Sequence, residues 1–313
     1  MEHETGTGAR GAVVFPGIGP ARFADAAKFM LLNPVARRLT AEADDVLGYC
    51  LTDRYQSSEA AFSEAARISF LLNCVALAEW SGAAPEVCAG ASFGGIPAAV
   101  HTGALAFADA VRMTAEWGRR TEAYFAREHT DVVTLSFARV PEERLAEIRA
   151  ELDAEGAWHD VACHVDHDFH MLSVRQESVE PLRARLRSAG GLPLYEMRPP
   201  MHSAAFTALR DELAAEVAAG AGFRDPAIPI VSDHDGSLVR TADGVRSLLL
   251  DAVVRTVRWP AVTATLRGLG VERVHVVGQD ALWGRVACMT GNFEIVAVRP
   301  ETAMRPRRRT AAA

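Results

Sequence analysis

The stretch EVCAGASFGGIPAAV, Glu86 to Val100, is where this chain has least freedom. Val87 to Ala89 is a short apolar run of the kind that forms a buried strand, and Ile96 to Val100 opens a helical run. Between them GASFG, Gly90 to Gly94, has the form G-x-S-x-G. A strand that passes straight into a helix at a serine among small residues belongs to an α/β fold. The backbone crowds at such a turn, so its neighbours must be small, and the serine oxygen projects forward. The N-terminal N–H groups of the helix then face any oxyanion that develops there. Ser92 is therefore a candidate nucleophile. An ordinary turn uses the same residue types, and the spacing alone does not separate the two.

The elements around this turn predict one large α/β unit with an insertion. Ala12 to Phe15 reads as a strand, followed by the tight loop PGIGP. A helix is expected from Phe23 toward Ala41. A second, apolar nearly all round and hence buried, is expected to start at Ser57 or Ser58. Ala106 to His129 reads as an amphipathic helix. The middle of the chain then runs strand (DVVTLSFARV), helix (PEERLAEIRAELDAEG), two strands (WHDVACHV, FHMLSVR), helix (ESVEPLRARLRSAG), strand (LPLYEMR). That order matches a ferredoxin-like lobe. The later part predicts a helix over MHSAAFTALRDELAAEVAAGAG, a strand at IPIVSD, one or two helices in VRSLLLDAVVRTVRWPAVTATLRGLG, and strands at VERVHVVG and NFEIVAVR.

The expected fold is thus α/β, a larger α/β-hydrolase-like domain with a parallel-type sheet plus an inserted ferredoxin-like α+β lobe. The larger domain takes residues 1–129 and 199–300, the lobe 130–198, and 301–313 is read as a flexible basic tail carrying Arg305 to Arg309.

A serine nucleophile needs a base. There are ten histidines. His159, His164, His167 and His170 fall in the lobe at near-alternating spacing beside Asp166 and Asp168. Their spacing fits no strong zinc signature, so they are read as solvent-facing polar residues and no metal is expected. His202 differs, because it lies at the junction of lobe and larger domain, where loops line a cleft. The net charge of −7 gives no overall attraction to nucleic acid or to an anionic membrane. The five cysteines show no CxxC spacing and read as reduced thiols in a cytoplasmic protein. The opening MEHETGTGAR is polar and has no apolar core, so no secretory leader is expected. The apolar runs are too interrupted to span a membrane.

The chain resembles the malonyl-CoA:acyl-carrier-protein transacylases and the acyltransferase domains of polyketide synthases, over roughly Gly11 to Arg299. FPGIG resembles the family's FPGQG, GASFGG its GHSxGE, MHS its catalytic FHS or SHS, and VRTVRW its PVxW segment. TGALAFADAVRM is similar to the segment after the nucleophile. The resemblance implies Ser92 as nucleophile, His202 as general base, and the backbone N–H groups of Ile18 and Phe93 as the oxyanion hole. It also implies a backbone carbonyl that holds the histidine, matched to Arg258. The enzyme would bind no cofactor of its own. Its substrates would arrive as phosphopantetheine thioesters on acyl carrier proteins, donor and acceptor, with the enzyme itself a monomer.

The departures bear on substrate. Malonyl enzymes of the family hold the free carboxylate with the arginine of an RG pair, and here the pair is Trp117-Gly118. An indole cannot replace a bidentate clamp. An unpaired buried carboxylate costs several kcal/mol. The usual histidine before the nucleophile is Ala91, and Pro199 to His202 reads PPMH, matching neither malonyl- nor methylmalonyl-type patterns. Trp117, Met201, Pro200 and Ala91 would line a wider, more apolar pocket. The pattern looks like the free-standing acyltransferases of macrolactam pathways, which move an aminoacyl or dipeptidyl group between carriers. Arg285 and Arg299 are candidate contacts to an acidic carrier. Three alternatives stay open: a thioester hydrolase that clears stalled carriers, an ordinary malonyl- or acyl-CoA transacylase, and an inactive carrier-binding scaffold.

Overall fold

A computed structural model of the chain describes residues 10–58, 60 and 62–305. The first half contains β1 (Gly11–Phe15), α1 (Phe23–Leu32), α2 (Pro34–Leu47), α3 (Leu51–Gln56), α4 (Glu64–Ser81), β2 (Val87–Gly90), α5 (Gly95–His101) and α6 (Phe107–Phe125). There follow β3 (Val132–Ala138), α7 (Glu142–Ala154), β4 (His159–Asp166), β5 (Phe169–Arg175), α8 (Val179–Ser188) and β6 (Leu192–Met197). The chain ends with α9 (Thr207–Glu216), β7 (Ile230–Val231), β8 (Leu238–Val239), α10 (Ala242–Asp251), β9 (Val257–Arg258), α11 (Trp259–Gly268), β10 (Arg273–Val277), α12 (Ala287–Thr290), β11 (Glu294–Val298) and α13 (Pro300–Ala303).

Two sheets organise these elements. The larger runs β11-β10-β1-β2-β7-β8, parallel as far as β7 and closed by an antiparallel β8. Every residue of β2 and four of the five in β1 are buried, as strands covered on both faces require. The smaller sheet runs β6-β3-β5-β4, antiparallel throughout, with α7 and α8 in the ferredoxin-like connection order. Both parts of the expected α/β class are borne out. Two strands were not foreseen: β8, which closes the larger sheet, and β9, which leaves the larger part and adds to the small sheet, parallel to β4.

Local chemistry explains the differences from the expected elements. The single helix predicted from Phe23 is two. Asn33 turns out of the helix, and its side chain accepts from the N–H groups of Val35 and Ala36, while Pro34 starts the next helix without needing an N–H. The buried helix starts at Glu64, not at Ser57 or Ser58; the capping oxygen is that of Ser63, which accepts from Ala66. The helix predicted from Met201 starts only at Thr207, because His202 has a left-handed φ of 65° and Ser203 caps a 3₁₀ turn. The predicted strand IPIVSD is cut to Ile230–Val231, since Ser232 to Gly236 curls into the turn that leads to β8.

The histidine row is corrected too. His170 is 1% exposed, with Nε2 on the Val140 carbonyl at 3.0 Å and Nδ1 on His164 Nδ1 at 3.1 Å; of the four, only His167 is exposed. Among the described residues no group of three His, Cys, Asp or Glu could hold a metal ion, and no helix is long and apolar enough to cross a membrane. The predicted tail begins inside α13, and residues 306–313 lie outside the described ones.

Candidate active site

Ser92 stands one residue after β2, beyond Ala91, and opens the 3₁₀ turn Ser92–Gly94 that leads into α5. Its φ of 52° lies in the left-handed region, which a serine enters only when its surroundings impose it. Two glycines make the turn possible. A Cβ on Gly90 would fall 2.2 Å from the Gly94 carbonyl oxygen, and one on Gly94 would fall 2.3 Å from that of Phe15. The end of β1 is therefore pressed against the elbow, and the FPGIG loop that follows β1 borders the nucleophile.

The Ser92 N–H donates to Asp233 Oδ2 at 2.7 Å. Its own amide is thus committed, whereas no hydrogen-bond partner is found among the described residues for the N–H of Ile18 or of Phe93. Phe93 packs edge-to-face on Phe70 of α4, ring centroids 5.8 Å apart. Over the same loop lies Trp283. A Cβ on Gly17 would fall 2.8 Å from its indole Nε1, so only glycine fits there. Trp283 in turn meets Trp259, whose indole N–H donates to the Trp283 carbonyl at 3.1 Å.

His202 reaches Ser92 from the far side of the cleft. Its Nε2 is 2.9 Å from Ser92 Oγ. The backbone N–H groups of His202 and Ser203 both donate to the Val253 carbonyl, and Ser203 Oγ donates to Asp160 Oδ2 at 2.7 Å. The histidine loop is therefore tied to both parts of the molecule. Burial, with the nearby charge of His234 adding to it, pulls the His202 pKa down to about 4, against the carbonyls of Arg255 and Ala252. At neutral pH the ring is an unprotonated base. The expectation that Arg258 supplies the orienting carbonyl is corrected. His202 Nδ1 is buried, and no hydrogen-bond partner is found for it among the described residues; the carbonyls that push its pKa back up are those of Arg255 and Ala252, while Arg258 sits in β9 with an exposed side chain and its N–H on the Asp233 carbonyl.

Sequence reasoning missed the pair behind the serine. Asp233 and His234 are each 3% exposed, with His234 Nδ1 3.4 Å from Asp233 Oδ1 and Nε2 3.2 Å from the Leu248 carbonyl. Nε2 faces an acceptor and so carries hydrogen. Burial raises the Asp233 pKa. The signal in the sequence was the unusual "DHD" in a predicted strand, which reads as a turn until its burial is known.

The remaining candidates divide. Trp117 and Met201 are half-buried against the larger core, and Pro200 is buried. Ala91 does not line an open pocket: it is fully buried with Val14 and Trp259. Arg119 and Arg120, which follow Trp117-Gly118, are both engaged. Arg119 pairs with Glu116 at 2.9 Å, and Arg120 with Glu116, Glu212 and Glu216. Arg285 is exposed, whereas Arg299 turns partly inward and donates to the Asp280 carbonyl at 3.3 Å.

Comparison with known proteins gives a consistent picture. The family described as VinK acyltransferase small domain matches residues 136–197, the body of the ferredoxin-like lobe. The malonyl CoA-acyl carrier protein transacylase of Escherichia coli K12 is 29% identical over 280 residues, 85% of this chain and 88% of that protein. That of Bacillus subtilis 168 is 26% identical over 304 residues, 93% and 94% of the two chains. Among solved structures, a type II PKS malonyl-transacylase with its acyl-carrier protein (PlMCAT:AntF) superposes with a TM-score of 0.83. The two are 25% identical, over 93% of this chain and 96% of that one. FabD from Acinetobacter baumannii, 20% identical, shares the fold with the same score over 95% and 96% of the two chains. The resemblance to the malonyl-CoA:acyl-carrier-protein transacylases read from the sequence is borne out, and with it the assignment as an acyltransferase.

Proposed function

We propose that this protein moves a non-malonyl acyl group, aminoacyl or dipeptidyl, between the phosphopantetheine arms of two acyl carrier proteins in the cytoplasm. The coarser activity, acyl transfer on an acyl carrier protein, follows from the homology. The finer reading is carried by one observation: the position of the carboxylate-binding arginine is Trp117, and both arginines that follow it are already paired with acidic side chains.

Ser92 and His202 supply the chemistry. Neutral His202 takes the hydroxyl proton through Nε2 as Ser92 Oγ attacks the thioester carbonyl. The N–H groups of Ile18 and Phe93 steady the oxyanion, since that of Ser92 is held by Asp233. The first carrier's thiol leaves with the proton from His202. A second carrier's thiol then gives its proton to His202 and attacks the acyl-serine ester, and Ser92 Oγ leaves by taking that proton back from His202. The substrate arrives activated as a thioester, so the protein needs no cofactor of its own. Arg285, on the exposed surface after Trp283, is a contact for an acidic carrier.

A second reading, malonyl transfer, is favoured by the names of the curated relatives. Intact-mass measurement of the protein after exposure to malonyl-, simple acyl-, aminoacyl- and dipeptidyl-loaded carriers decides. The proposal expects the last two to load Ser92 fastest, and dominant malonyl loading overturns it. Rapid release of the loaded group to water, in place of transfer to a second carrier, would make the protein a hydrolase.

A further inference from the structure

We propose that Arg67 is a specificity-determining residue of the acyl pocket, and that it takes an internal amide carbonyl of the transferred group. The inference rests on the non-malonyl reading above. Arg67 stands in the first turn of α4, and its guanidinium lies across Gly118. A Cβ on Gly118 would fall 2.5 Å from Nη2 and 2.8 Å from both Cζ and Nε. The glycine of the Trp117-Gly118 pair thus makes room for a cation that the pair itself lacks. Three residues along the same helix, Phe70 meets Phe93, the neighbour of the nucleophile. Residues three apart share a helix face, so one face of α4 borders both the elbow and Gly118.

The donors of Arg67 are unevenly used. Nη2 donates to Glu122 Oε1 at 2.6 Å, whereas Nε is buried and has no partner. A buried N–H left unmade is costly and calls for an acceptor. A guanidinium grips a carboxylate through two parallel N–H groups, either Nη1 with Nη2 or Nε with Nη2. Both forks use Nη2, where Glu122 already takes one N–H, so a second carboxylate would be set beside the first, like charge against like charge. A single acceptor on Nε remains possible, and a neutral carbonyl oxygen fits it without competing with Glu122. The thioester carbonyl is already engaged over Ser92, so the acceptor is a second carbonyl further along the acyl chain. A dipeptidyl or N-acylated aminoacyl group has one; a fatty acyl or bare aminoacyl group does not.

The full chain is mixed with pantetheine thioesters of N-acetyl-β-alanine, hexanoate (the same chain length without the amide) and malonate, and initial acylation of Ser92 is followed by intact mass. The wild type is expected to load the amide probe about tenfold faster than hexanoyl. Arg67→Met should bring the amide probe down to the hexanoyl rate, so that the ratio of the two falls to about one, with Arg67→Gln recovering part of the ratio through its own N–H. Glu122→Ala, at a position 60% exposed, frees Nη2 and should raise malonyl loading severalfold, which a purely structural Arg67 would not do. An amide preference untouched in Arg67→Met, an equal fall for both probes, or unchanged malonyl loading in Glu122→Ala overturns the assignment. Malonyl loading fastest in the wild type instead overturns the non-malonyl reading on which it rests.

Discussion

The two walls of the cleft are built from different materials. On the nucleophile side the geometry is made by backbone: Gly90 against Gly94, Gly94 against Phe15, a left-handed Ser92, and an amide pinned by Asp233. On the acyl side proposed above it is made by side chains: Trp117, Arg67 laid on Gly118, and Glu122. Backbone walls accept no substitution that adds a Cβ, yet they tolerate changed side chains nearby, as at Ile18, whose proposed working group is an N–H. Side-chain walls can be rewritten one residue at a time. The chemistry is thus held where variation is forbidden, and selectivity where it is cheap.

The largest effect expected on the backbone wall is from Ser92→Ala. It should abolish acyl-enzyme formation, with a loss of transfer on the order of 10⁴-fold or more, while thermal stability changes little. Acyl mass persisting on the variant would place the nucleophile elsewhere. Next comes a pair that compares two glycines near one turn. Gly94→Ala sets a Cβ against backbone that cannot yield and should cost about 3 kcal/mol or more in denaturant unfolding. Gly19→Ala, with nothing within 4 Å of its Cβ, should stay within about 0.5 kcal/mol. Equal costs would mean that the elbow is looser than its contacts imply.

On the side-chain wall, Trp117→Arg should raise malonyl loading relative to aminoacyl loading by about tenfold or more, measured as acyl mass on Ser92. No shift would show that residue 117 does not reach the acyl group, and the contrast between the walls would lose its selective half.

The backbone wall was also the more legible in sequence. G-x-S-x-G between a short apolar run and a helical run specifies its own geometry, because only glycine satisfies contacts of 2.2 and 2.3 Å. The sheet order was legible to the extent that strands fully covered on both faces read as apolar runs. The two-residue strands β8 and β9 were not, since two residues carry no periodicity. Nor was the His202 support. The carbonyls of Arg255 and Ala252 come from a loop after α10, and carbonyls carry no side-chain signature, so motif matching settled on Arg258 three residues away. Arg67 escaped notice for the opposite reason: its side chain is conspicuous, but its partner is a glycine 51 positions later, recognisable only once α4 and α6 are packed together.

The smallest effect tests whether the buried pair behind Ser92 acts on the base as well as on the backbone. His234 is one of the two influences that lower the His202 pKa, the other and larger being burial. Acylation needs the neutral ring, so its rate should be flat near neutrality and fall only as pH drops through about 4. Removing the charge with His234→Asn should move that acid limb upward, toward the ordinary histidine value of about 6.5. A rise of about one unit would halve the rate near pH ~5 while leaving it unchanged near pH ~8. The same direction holds for stability. A histidine that takes its proton near 6.5 when unfolded but only near 4 when folded binds more protons in the unfolded state between those values. Folding stability therefore falls as pH falls through that window, and the variant should narrow the window from below. A limb that stays at about 4 in His234→Asn would leave burial as the sole cause and confine Asp233 and His234 to holding the elbow.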